Sequence, residues 1–139
     1  MATVIVVTEG FDTMRRPGRR DAVAPDGSDV RILLRLAGGS MAHFELAAGR
    51  TSGAVAHRTV AEIWYVLSGR GQMWRRQDGR EETVELAPGT CLSIPAGTRF
   101  QFRATGDGPL GAVAVTMPPW PGEGEAFEVP GPWVADETA

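Results

Sequence analysis

The chain carries two histidines, His43 and His57, and each has a carboxylate close by in sequence, Glu45 and Glu62. An imidazole beside a carboxylate can take a proton as general base while the carboxylate orients the ring or supplies the acid. Placed next to a substrate carbonyl, such a pair catalyses isomerisation, cyclisation or elimination. Other chemistries are closed. All 14 basic residues are arginine, so a Schiff base or pyridoxal phosphate held by a lysine is excluded. Cys91 is the single cysteine, which rules out an internal disulfide; on a strand it reads as a small buried hydrophobe.

These residues need a scaffold, and the spacing of apolar runs describes one. Segments of four to seven residues alternate with Gly, Pro and Asp clusters at nearly even intervals, an all-β signature. Strands are expected over 4–8, 30–36, 41–46, 63–67, 72–76, 83–86, 91–94, 100–103 and 111–116. Asp78-Gly79 reads as a hairpin turn in which the glycine supplies the positive φ. The 139 residues form one domain in this reading. Residues 1–28 make a polar N-terminal arm, 29–117 a β-barrel, and 118–139 a Pro/Gly/Trp-rich tail pinned to the barrel by Trp120 and Trp133.

Two stretches resemble the paired motifs of the cupin superfamily, G-x5-H-x-H-x(3,4)-E-x6-G and G-x5-P-x-G-x2-H-x3-N. The first aligns on Gly49, Val55, His57, Glu62 and Gly69, the second on Gly89, Pro95, Gly97, Phe100 and Ala104. The resemblance implies a cupin-type double-stranded β-helix, a jelly-roll barrel with irregular N- and C-terminal arms. It also implies a divalent metal held by three histidines and a glutamate. Here only His57 and Glu62 remain at those positions, and Val55 and Phe100 replace the other two. The resemblance therefore implies either no metal or one weakly bound Fe, Mn, Ni or Zn ion on His57 and Glu62, with His43 as a possible substitute ligand.

If His57 points into the barrel, strand alternation turns Val55, Glu62, Trp64, Val66, Phe100 and Phe102 inward and Gln101 and Arg103 outward. That is an apolar pocket with two polar groups, the usual form of a small-molecule site. Trp74, Gln72 and Arg35 are further candidates for ligand contact; Arg31 and Arg35 alternate with Ile32, Leu34 and Leu36 and are expected on the opposite face from them. In this pocket Glu62 would hold its proton toward neutral pH unless His57 pairs with it as an ion. The expected function is a small-molecule-binding cupin, an acid-base enzyme using His57 and Glu62. A non-catalytic binding module and a divalent-metal, dioxygenase-like cupin are the alternatives.

Seventeen acidic residues against 14 basic ones give a net charge of −3, which speaks against nucleic-acid partners. No apolar run approaches the length of a membrane span, and residues 4–7 are too short an apolar stretch for a signal peptide. A cytoplasmic homodimer, paired through strand edges, is the expected state. The Arg, Ala, Gly and Pro bias reads as that of a GC-rich, bacterial genome.

Overall fold

The computed structural model describes residues 9–136; the strand expected over 4–8 lies outside them. Eleven strands follow in order: β1 (Ala22–Val23), β2 (Asp29–Leu36), β3 (Gly39–Leu46), β4 (Val55–His57), β5 (Ala61–Ser68), β6 (Gly71–Gln77), β7 (Arg80–Leu86), β8 (Cys91–Ile94), β9 (Arg99–Ala104), β10 (Leu110–Met117) and β11 (Ala126–Glu128). They build a six-stranded sheet, β1-β2-β3-β10-β5-β8, and a five-stranded sheet, β11-β4-β9-β6-β7, antiparallel throughout. No helix among the described residues is long and apolar enough to cross a membrane.

Alternation sets what faces the core. In β5, Glu62, Trp64 and Val66 are buried while Ile63, Tyr65 and Leu67 stand on the outer face. The buried cluster between the sheets draws on both, from Leu46, Trp64 and Ala112 of one to Met73, Leu86 and Phe102 of the other. The motif glycines Gly49, Gly69, Gly89 and Gly97 sit between strands with φ of 75° to 94°, so their spacing marks chain reversals.

Four expectations change. Strands β1, β4 and β11 were not expected; at two or three residues each they are too short to show a period of two. In the hairpin joining β6 to β7, the left-handed residue is Asp78 (φ 52°) and not Gly79, a conformation that the short polar side chain of Asp tolerates. Cys91 is exposed, because Leu92 and Ile94 take the inward positions of β8. Arg35 does not share the face of Arg31. The pairing of β2 with β3 shifts register between Ile32 and Arg35, and an irregularity of this kind breaks the alternation, so Arg35 joins Leu34 on the side of β2 that borders the open end of the barrel.

Candidate functional site

The two sheets enclose a cavity of about 270 Å³ at the end of the barrel bounded by β2, β4 and the C-terminal segment. Its size follows from small residues placed between large ones. Ala112 and Ala114 of β10 pair with Phe44 of β3 and Trp64 of β5, and across that low row the two rings stack at 5.6 Å, 4° from parallel. On the opposite sheet Val55 of β4 pairs with Phe100 of β9, and both are 2% exposed. The cavity opens along β2, whose lining side chains Ile32 and Leu34 are exposed.

His57, the last residue of β4, and Glu62, the second of β5, meet in this cavity with Nδ1 and Oε1 3.8 Å apart, beyond hydrogen-bond reach. The His57 ring lies edge-on to Phe100 at 5.3 Å and to Trp120 at 4.9 Å, and its Nδ1 is buried with no hydrogen-bond partner. Glu62 accepts a 2.7 Å hydrogen bond from Trp64 Nε1 on its other oxygen, Oε2. Burial pushes its carboxyl up to about 7; the Trp64 hydrogen bond opposes that, and the Asp26 charge adds to it. Burial pulls His57 down, against the charge of Glu125 and a backbone hydrogen bond to Val60. Both groups are driven toward their neutral forms. Burial thus favours a carboxylic acid facing a neutral imidazole over an ion pair between them.

Two residues join the site that sequence reasoning missed. Asp26 lines the cavity from the segment before β2; its Oδ1 accepts from Ser28 N at 2.9 Å and Ser28 Oγ at 2.6 Å, and its backbone oxygen accepts from Gly53 N. Burial raises its pKa. The Asp-Gly-Ser sequence is a recognisable turn signal, but nothing in it says that the turn faces inward. Trp120 reaches the cavity from the tail, its backbone N–H donating to Ser40 Oγ at 3.0 Å. Glu125 supports the site from behind: its Oε1 accepts from Thr59 N at 2.6 Å and Val60 N at 2.7 Å, holding the β4–β5 connection.

Of the residues singled out from sequence, Val55, His57, Glu62, Trp64, Phe100 and Arg35 line the cavity. Val66 and Phe102 are in the core beyond it, where Phe102 meets Trp64 edge-on at 5.1 Å. Gln72 and Trp74 do not reach it. They lie on the outer face of β6, where Gln72 pairs with Glu85 and Arg103 and Trp74 Nε1 donates to Glu81 at 2.7 Å. His43 is also turned away, because Phe44 takes the inward position; His43 Nδ1 lies 3.4 Å from Arg31, which also stands 3.9 Å from Glu45. Burial, then the charges of Arg16 and Arg31, lowers the His43 pKa.

The tail does two things. Trp120 closes on the cavity, while the backbone of Trp133 is clamped to the outer face of β9 by Gln101, whose Oε1 accepts from Trp133 N at 3.1 Å and whose Nε2 donates to Trp133 O at 2.9 Å. The Trp133 ring lies under the Arg103 guanidinium at 4.1 Å. Gln101, expected outside, is 1% exposed for that reason.

A divalent metal does not fit this donor set. Val55 and Phe100 fill the two replaced positions with hydrocarbon, and His43 lies on the other side of its sheet. Among the described residues no group of three or more His, Cys, Asp and Glu side chains could hold a metal ion.

Comparison with known proteins agrees with the fold. The family model described as a Cupin domain matches residues 42–116. No curated protein matches the sequence. A Bacillus halodurans protein of known structure superposes with a TM-score of 0.61 at 27% identity, over 71% of this chain and 76% of that one. The capsular polysaccharide assembling protein CapF of Staphylococcus aureus gives 0.63 at 19% identity over 76% of this chain, and the oxalate decarboxylase of Bacillus subtilis gives 0.66 at 17% over 85%. The matched part spans 33% of the former and 30% of the latter.

Proposed function

The chain belongs to the Cupin domain family, and from that premise we propose that its cavity binds a small, largely apolar organic molecule with which His57 and Glu62 exchange a proton. One observation carries the reading. The His57 Nδ1 lone pair is buried without a partner, facing a carboxyl that burial keeps protonated to about pH 7. A neutral base and a neutral acid in one apolar-lined cavity can remove a proton from one atom and return it to another, the step common to isomerases, cyclases and lyases. Trp64 fixes the acid by its hydrogen bond, Phe100 and Trp120 fix the plane of the base, and Phe44 and Val55 supply apolar contact.

The test is proton exchange itself. With cyclohexanone as probe in D2O, the protein should accelerate deuterium incorporation next to the carbonyl. His57→Gln and Glu62→Gln should abolish the acceleration, while Gln72→Ala, on the outer face, should keep it. A second reading, a binding module without catalysis, is favoured by Phe100, which adds apolar contact where a metal-dependent relative would place a ligand. It predicts saturable binding of the ketone with no exchange above buffer.

A further inference from the structure

We propose that the molecule taken by this cavity carries a protonated amine, held between the carboxyls of Asp26 and Glu62 and the rings of Trp64, Phe100 and Trp120. The inference rests on the reading that the cavity binds a small organic molecule, and it names that molecule's charge.

The polar groups around the cavity are unbalanced in sign. Asp26 and Glu62 both line it, buried at 9% and 3% exposure, and a third carboxylate, Glu125, stands behind His57. Among the described residues the lining contains one cationic side chain, Arg35, which is exposed at the open β2 side. Neither inner carboxyl has an arginine partner; Ser28 occupies one oxygen of Asp26, and Trp64 one oxygen of Glu62. Burial with no counter-charge is what raises both pKa values, and an entering cation removes that cost. The walls favour the same charge, because aromatic faces attract ammonium groups in desolvated sites.

The third observation selects the kind of cation. His57 Nδ1 lacks a donor, and an amine carrying N–H groups supplies one, whereas a quaternary ammonium has none to give. A carboxylate-bearing ligand would bring its charge against two carboxyls on the cavity floor, so any anionic group on it belongs at the mouth, near Arg35.

The experiment compares three molecules of one shape, cyclohexylamine as its ammonium ion, cyclohexanol and cyclohexanecarboxylate, titrated calorimetrically into the full chain at about pH 8. The ammonium should bind at least about tenfold more tightly than the alcohol, with the carboxylate weakest. Asp26→Asn and Glu62→Gln should each reduce the ammonium's advantage over the alcohol to about threefold or less. Circular dichroism and melting curves establish that both variants are folded. Alcohol binding as tight as ammonium binding overturns the charge inference and leaves the small-molecule reading standing. Saturable binding by none of the three overturns both.

Discussion

Trp120 meets His57 edge-on at 4.9 Å, so a residue of the C-terminal segment completes the environment of an imidazole fixed by β4. That contact couples three properties that would otherwise be independent: the dryness of the cavity, the basicity of His57 and the anchoring of the tail. The indole excludes water from one side of the ring, and desolvation is the largest influence lowering the His57 pKa. The backbone N–H of the same residue donates to Ser40 of β3, whose hydroxyl also hydrogen-bonds Thr116 of β10.

Trp120→Ala is therefore expected to raise the His57 pKa back toward the ordinary histidine value while costing about 1–3 kcal/mol, less than a fully buried tryptophan would. With only two histidines in the chain, ring-proton NMR titration resolves both, and His43→Gln assigns them. The His43 titration should stay where it is, since that ring packs on the other side of its sheet. An unchanged His57 titration in Trp120→Ala would remove Trp120 from the account of the site.

Glu62 predicts a pH dependence of stability with a definite sign. Its folded pKa of about 7 exceeds the reference 4.5, so between those values the folded state holds a proton that the unfolded chain has released. Stability from this group falls as pH rises from about 4.5 to about 7, by on the order of 3 kcal/mol, and is flat above. His57 and His43, with lowered values, act oppositely and only below 6.5. The clean measurement is the difference between Glu62→Gln and the parent in urea unfolding at several pH values. The variant should gain relative to the parent as pH rises through this window, and a constant difference would mean that Glu62 titrates normally.

The barrel was legible because its evidence is local. Period-two alternation marks β5 and β9, and the motif glycines fall where the chain reverses with positive φ. His57, Glu62, Val55 and Phe100 were legible through motif spacing. Asp26, Trp120 and Gln101 were not, because each lies beside or within a segment whose burial depends on where the arms pack, and neither arm has a period to read. Arg35 was legible as a candidate for ligand contact, but its face was not: a register shift in β2 inverts the face of every residue beyond it, and no sequence signal marks that shift.

Gln101 tests how the tail is attached. Its side chain bridges Ser52 O, Trp133 O and Trp133 N from an otherwise closed position. Gln101→Leu keeps the volume but leaves those backbone groups without their partner, at an expected cost of about 1–3 kcal/mol. Limited proteolysis should then cut near Trp133 well before the barrel is attacked. Affinity for cavity ligands should be unaffected, because Gln101 faces away from the cavity and Trp120 is anchored separately.

Val55 and Phe100 pair directly across β4 and β9, and both line the cavity that holds His57 and Glu62. Replacing both by histidine would put three imidazoles and one carboxylate around one point, a donor set suited to a divalent transition metal. The double variant Val55→His/Phe100→His should therefore retain near-stoichiometric zinc, manganese, nickel or iron after gel filtration, measured by elemental mass spectrometry. The parent should retain only traces, since one imidazole and one carboxylate form too few bonds to offset dehydration of the ion and deprotonation of a buried acid. Removing phenyl and isopropyl groups from the core costs stability in the apo form, and metal binding should restore part of it, visible as a metal-dependent rise in melting temperature. Tight metal binding by the parent, lost in His57→Ala and Glu62→Gln, would show that two protein donors suffice here and would move the chemistry of the cavity from proton transfer to metal-assisted reactions.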